Sequence, residues 1–170
     1  AVGDVPVVAA GGIADGRGMA AALALGASGV WIGTRFLASE EVEIHPHYQE
    51  RILAASEDDT AYFDNLFDIG WPNAPHRVLR NETVSKWERA GHPLPGKRPG
   101  EGDVVAHDPL GNVIERYSAI TPRSGVEGDV EALSMWAGQS CGLVRSIQPA
   151  ETIVREIDES AKAIFRKLSN

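Results

Sequence analysis

Residues 5–18 read VPVVAAGGIADGRG, and residues 28–36 read SGVWIGTRF. Each stretch is a short apolar run that ends at glycine, which is typical of a buried parallel strand followed by a tight turn. Between them an alanine-rich segment, from about Arg17 to Leu25, predicts a helix that ends before Gly26. Strand, helix and strand in this order predict a parallel βαβ unit, so the pattern indicates an α/β fold.

The two turns that close these strands are the strongest candidates for a binding site. The first turn contains Gly11 and Gly12, and the second contains Gly33 and Thr34. Because glycine has no Cβ, an anion can approach the backbone N–H groups, and a helix start behind a turn adds the positive end of a dipole. One phosphate held between the turns is one interpretation; two tight turns with no ligand are the other. Neither turn has the P-loop pattern, and the match to a Rossmann fingerprint is weak.

Composition excludes several classes of partner. The 170 residues contain 16 Lys and Arg against 24 Asp and Glu, a formal net charge of −8. This argues against nucleic acid and against an anionic membrane surface. No apolar run approaches the roughly 20 residues of a membrane span. The single cysteine, Cys141, cannot form an internal disulfide, so we expect a reducing, cytoplasmic location.

The other candidate site residues favour structural roles, with one exception. No histidine pair stands at a metal-ligand spacing, so we expect no metal site. Cys141 reads as a small buried residue, whereas Gln139, in the glycine-flanked run 138–142, carries an amide that could hydrogen-bond a ligand. The histidines, to which we assign surface or helix-start positions, are His45, His47, His76, His92 and His107.

The remaining chain predicts three parts. Residues 1–38 hold the βαβ unit, residues 39–103 a mostly helical insertion with a Pro- and Gly-rich loop, and residues 104–170 a C-terminal segment that ends in an amphipathic helix over about 150–168. A strand is expected within residues 113–120. Within the insertion, helices are predicted over residues 47–55, 59–66 and 83–89, the last capped by Asn81.

The stretch 5–41 closely resembles the nitronate monooxygenase family, formerly called 2-nitropropane dioxygenases, and WAGQSCGLV at residues 136–144 resembles a later Gly-Gln motif of that family. These enzymes are FMN-dependent (β/α)8 barrels. The resemblance therefore implies the C-terminal portion of a (β/α)8 TIM barrel. It also implies that FMN has its phosphate on the backbone of Gly11, Gly12, Gly33 and Thr34, and that Gln139 approaches the flavin or the substrate pocket.

The resemblance further implies an activity, the oxidation of alkyl nitronates with O2 to a carbonyl compound and nitrite. A NAD(P)H-dependent flavin or enoyl reductase of the same fold is one alternative. A non-catalytic fragment, or a subunit that completes a barrel, is another. Flavin chemistry would come from the cofactor, and the protein would supply position and electrostatics.

The chain differs from a complete family member in its length. A (β/α)8 barrel needs at least about 200 residues, and the family's catalytic histidine lies upstream of the first turn, before Ala1. We therefore assign no catalytic residue. We expect an N-terminal half or a homo-oligomer to complete the barrel, and exposed strand edges to make the isolated chain associate.

Overall fold

The structure is a computed structural model that describes residues 2–169. Its α-helices are α1 (Gly16–Ala24), α2 (Pro46–Ala54), α3 (Glu82–Arg89) and α4 (Ala150–Leu168). Its strands are β1 (Val8–Ala10), β2 (Gly29–Trp31), β3 (Thr60–Phe63), β4 (His76–Leu79), β5 (Val104–His107), β6 (Val113–Glu115) and β7 (Glu127–Gly128). Two short 3-10 helices, Thr34–Ala38 and Gln139–Leu143, follow glycines that are important below.

The chain forms two compact units. The first combines the residues up to Val42 with those from Gly138 onward, and the second comprises Glu43–Ala137. The first unit thus contains both glycine turns and residues 138–144 of the Gly-Gln motif, although the intervening unit separates them in sequence. The three-part organisation predicted from the sequence stays a prediction.

The first unit contains the predicted βαβ arrangement. β1 pairs in parallel with β2, with Val8 opposite Gly29 and Ala10 opposite Trp31. α1 connects the two strands, so the α/β class is confirmed. α1 packs on α4 at Gly16, where an added Cβ would lie 2.6 Å from the Ala161 nitrogen. Only glycine permits this close approach between the two helices.

The strands of the first unit are not buried as the sequence pattern predicts. Val8 is 53% exposed and Trp31 is 75% exposed. Within residues 2–169, β1 and β2 pair only with each other. The expectation of strands buried on both faces is therefore wrong for the described chain, because burial of a parallel sheet requires covering layers.

The second unit contains five strands, so this part of the chain is less helical than the prediction of a mostly helical insertion. β3 pairs with β4 in antiparallel fashion, and β5 lies between β6 and β7. The helix predicted over residues 59–66 is wrong, because Thr60–Phe63 is a strand. Ala61 and Phe63 are buried while Tyr62 is exposed, which is the two-residue period of a strand. Phe63 belongs to a core that also includes Leu66, Phe67, Val78, Val84 and Tyr117.

The other predicted helices are present with small shifts. α2 covers Pro46–Ala54, and α3 begins after Asn81, whose side chain accepts a hydrogen bond from the Val84 nitrogen. α4 buries Ile153, Ile157 and Ala161, the face expected from their spacing. None of the helices in residues 2–169 combines the length and apolar character that a bilayer crossing requires.

Candidate functional site

The two glycine turns lie at the same edge of the β1–β2 pair. Both strands run in the same direction and are in register up to Ala10 and Trp31, so the first turn and the second turn both follow carboxyl ends. Gly11 has φ of +86° and Gly12 has φ of +72°. Left-handed backbone at two successive positions is strained for side chains other than glycine, and it directs neighbouring N–H groups outward.

The backbone N–H groups of these turns are free of protein acceptors in the part of the chain that the structure describes. Within residues 2–169, none of the amides of Gly11, Gly12, Gly33 and Thr34 donates a hydrogen bond to another protein group. A Cβ built on Gly11, Gly12 or Gly33 would meet nothing within 4 Å. Four free donors beside open space form an arrangement that can bind an anion.

The start of α1 does not add free donors to this group. The Asp15 carboxylate accepts hydrogen bonds from the backbone nitrogens of Arg17 and Gly18, both at 3.0 Å. Burial raises the pKa of Asp15, but the hydrogen bonds from Gly18 and Arg17 outweigh it and hold this pKa below its usual value. The N-terminus of α1 therefore contributes less to an anion site than the sequence pattern predicts, because the Asp15 carboxylate already accepts its hydrogen bonds.

A third segment lies against the second turn. The Gly138 nitrogen donates a hydrogen bond of 2.9 Å to the Thr34 hydroxyl oxygen, across 104 residues of sequence. Gln139 follows at once and is exposed. We call residues 138–141 the Gly138 segment. The structure therefore brings Gln139 to the vicinity of Gly33 and Thr34, whereas Gly11 and Gly12 lie on the neighbouring strand end.

Arg35 holds the loop that follows the Gly138 segment. It is 7% exposed, and its guanidinium donates to the Ser146 carbonyl oxygen and to the Gln148 side chain. Burial lowers the pKa of Arg35, and the charge of Glu156 partly opposes that effect. By this contact Arg35 connects the helix that begins at Thr34 with the chain just before α4.

The sequence analysis did not identify Ser140. This residue lies in the Gly138 segment, is 5% exposed, and makes no hydrogen bond through its side chain within the described range. A lone serine between Gln139 and Cys141 carries no pattern of its own. Its position near Thr34 depends on a contact between distant parts of the chain.

The histidines all lie in the second unit and have structural partners where buried. The Phe67 nitrogen donates to His76 Nε2 at 3.3 Å, so His76 Nδ1 carries the proton and donates to the Ala74 oxygen at 2.8 Å. His47 contacts Glu131 at 2.5 Å. Among residues 2–169 no group of three or more His, Cys, Asp or Glu residues is arranged to hold a metal ion.

One protein family matches most of the chain. The family model described as nitronate monooxygenase matches residues 1–159. The nitronate monooxygenase npaC of Metarhizium robertsii is 40% identical over 168 residues, which cover 95% of this chain and 43% of that protein.

Two solved structures have a fold similar to that of this chain. FabK from Thermotoga maritima is 38% identical with a TM-score of 0.72, covering 98% of this chain and 47% of that one. Nitroalkane oxidase from Streptomyces ansochromogenes is 24% identical with a TM-score of 0.66, over 97% of this chain and 42% of that one, and supports the fold alone. The chain thus spans less than half the length of these relatives. It belongs to the nitronate monooxygenase family, a family of flavin-dependent oxidoreductases.

Proposed function

We propose that the chain supplies the phosphate-binding side of an FMN-dependent nitronate monooxygenase. The reaction is the oxidation of an alkyl nitronate by O2 to a carbonyl compound and nitrite. The observation that carries the proposal is the set of four free amides on the two turns, Gly11-Gly12 and Gly33-Thr34, at one edge of the sheet.

The residues present fit a phosphate monoester. Its oxygens accept several hydrogen bonds, and backbone N–H groups at open glycines can approach them closely. Asp15, the carboxylate that follows the first turn in sequence, is already engaged by Arg17 at 2.9 Å and by two backbone amides. With these partners Asp15 opposes a phosphate less than a free carboxylate would.

In this proposal the residues of the chain bind and orient. Bound FMN supplies the oxidation chemistry. The two turns hold the phosphate, and the hydrogen bond from Gly138 to Thr34 keeps the Gly138 segment beside it. Gln139, exposed at the start of that segment, offers an amide to the flavin or to the substrate. No residue of this chain is assigned the removal of a proton from the substrate.

A completed (β/α)8 barrel is part of the proposal. The open sides of β1 and β2 would pair with strands from upstream sequence or from a partner chain. The exposure of Val8 and Trp31 supports this, since both side chains would be covered in a closed barrel. The family match and the FabK likeness support the same arrangement.

A second candidate is a NAD(P)H-dependent enoyl reductase of the same fold. The likeness to FabK, with 38% identity and a TM-score of 0.72, favours it. A chain that only completes a barrel without catalysing a reaction is the third candidate.

The experiment uses the protein as isolated from its source, together with any chain that copurifies. Release of nitrite from an alkyl nitronate under O2, without nicotinamide, supports the monooxygenase. Rapid reduction of the flavin by NADH or NADPH, with no nitrite formed, supports the reductase and contradicts the first proposal.

Substitutions of glycine test the phosphate site. Gly33→Val should weaken FMN binding strongly, because φ at Gly33 is −103° and the added side chain enters the open space of the second turn without backbone strain. Gly12→Val should also weaken FMN binding. The matched control for Gly12→Val is Gly26→Val, which should leave FMN binding unchanged. Gly26 also has positive φ, of +98°, and open space around it, but it lies after α1. Unchanged FMN affinity in Gly33→Val would contradict the assignment.

A further inference from the structure

Ser140 carries a hydroxyl group that no other group of the described residues engages. The residue is 5% exposed, yet its side chain has no hydrogen-bond partner among residues 2–169. Among the described residues, the side-chain polar atom that is both fully enclosed and without a partner is Arg116 Nε. The Ser140 oxygen also has no partner, so it is not fully enclosed and belongs to the small exposed part of its residue. A nearly enclosed hydroxyl that no protein group engages, and that opens on one side, is available to hydrogen-bond a ligand there.

The Ser140 hydroxyl faces the same point as the Thr34 hydroxyl. A Cβ built on Gly138 would lie 3.5 Å from Thr34 Oγ1 and 3.8 Å from Ser140 Oγ. Two hydroxyl oxygens therefore flank the face of Gly138 that lacks a side chain. A ligand that approaches this open face of Gly138 would meet both hydroxyl groups.

The Thr34 hydroxyl also has its proton available. Its oxygen accepts the hydrogen bond from the Gly138 nitrogen, and no acceptor for its own proton occurs among the described residues. A hydroxyl group has one donor and two acceptor positions. The pair of Thr34 and Ser140 thus presents two donors to the same region and no negative charge.

We propose that Ser140 is an additional cofactor-binding residue, whose hydroxyl donates a hydrogen bond, beside that of Thr34, to the phosphate of FMN. The inference rests on the proposed function, because it requires FMN to be the bound cofactor. A phosphate monoester fits best, since it accepts several hydrogen bonds at once and gains most from donors next to the free amides of Gly33 and Thr34.

The test compares FMN with riboflavin, which lacks the phosphate. Flavin is removed from the intact protein, with any copurifying chain, and each ligand is titrated by quenching of flavin fluorescence. Ser140→Ala should weaken FMN binding by roughly ten- to a hundredfold, the effect of losing a hydrogen bond to a charged group, and should leave riboflavin binding unchanged.

Two further variants make the result specific. Ser134→Ala is the matched control, because Ser134 is fully buried but its hydroxyl already donates to the Ile120 oxygen at 2.9 Å. It should leave both affinities unchanged. Ser140→Thr retains the hydroxyl and should bind FMN more tightly than Ser140→Ala. Thermal unfolding of each flavin-free variant establishes that the compared proteins are folded.

Each other outcome overturns the inference in a distinguishable way. Equal losses for FMN and riboflavin would assign the hydroxyl to the ribityl chain or the ring. Unchanged FMN affinity in Ser140→Ala would remove Ser140 from the site while leaving the proposed function intact. Failure of the unsubstituted protein to bind either ligand would overturn the proposed function together with the inference.

Discussion

The Thr34 hydroxyl oxygen and the Gly138 backbone nitrogen lie 2.9 Å apart and form a hydrogen bond between segments separated by 104 residues. The second glycine turn and the Gly-Gln motif are adjacent in the fold as a result. Neither segment alone provides a site. Together they place free backbone amides, two hydroxyl groups and the Gln139 amide in one part of the first unit.

Replacing Thr34 should separate these segments. Thr34→Val keeps the shape but removes the acceptor of the Gly138 amide, so the free energy of unfolding should fall by about 1–3 kcal/mol. FMN affinity should fall as well. Thr34→Ser retains the hydroxyl and is the control. Denaturant unfolding and flavin titration measure the two effects, and a Thr34→Val variant with unchanged flavin affinity would show that this contact does not support the site.

Gly16 should be intolerant of any side chain. A Cβ at this position would lie 2.5 Å from Ser160 Cβ and 2.7 Å from the Ile157 oxygen, so Gly16→Ala should push α1 away from α4. We expect a loss of roughly 1–3 kcal/mol, as for an overpacked core. Gly29→Ala, where a Cβ meets nothing within 4 Å, should have a much smaller effect. Equal stabilities of the two variants in urea unfolding would contradict the packing described here.

The stability of the second unit should decrease in acid through Glu131. Burial raises the pKa of Glu131, but hydrogen bonds from Arg51 and His47 outweigh it, and the net pKa lies below its usual value. A carboxylate with a depressed pKa in the folded state stabilises above its unfolded pKa, and that stabilisation is lost as the pH falls through the folded value.

The corresponding measurement is the free energy of unfolding from pH 6 down to about pH 3, a window that brackets the unfolded pKa of Glu near 4.3. Glu131→Gln should flatten the decline. Glu127→Gln, at an exposed position on β7, should retain it. A decline of the same slope in Glu131→Gln would show that other carboxylates are responsible.

The chain of residues 1–170, expressed alone, should associate. Val5, Val7, Val8 and Trp31 are all exposed in the first unit, and β1 and β2 have unpaired sides within residues 2–169. Open strands of this kind pair with other chains. Size-exclusion chromatography with light scattering should therefore find oligomers or aggregate. A sharp monomer that unfolds cooperatively would contradict this expectation.

The sequence predicts some elements well because their signal is local. The spacing of Ile153, Ile157 and Ala161 defines one face of α4, and Asn81 marks the start of α3. β3 is missed because a strand of four residues carries too few positions to distinguish a period of 2 from a period of 3.6.

Some parts of the candidate site likewise have a local signal in the sequence, and others do not. The glycines of both turns are visible in the sequence because each directly follows an apolar run. The position of Ser140 beside Thr34 is not, because it depends on Thr34 and Gly138 meeting across a long separation in sequence. The capping of α1 by Asp15 is a local pattern, but its effect on an anion site becomes evident only with the hydrogen bonds in place.

The most direct test of the account is the visible absorption spectrum of the protein purified from its source with whatever copurifies. The account predicts the absorption bands of bound flavin, and release of FMN rather than another flavin when the protein is denatured. A colourless protein that acquires no flavin bands after FMN is added would contradict the claim that these two turns and the Gly138 segment form a cofactor site.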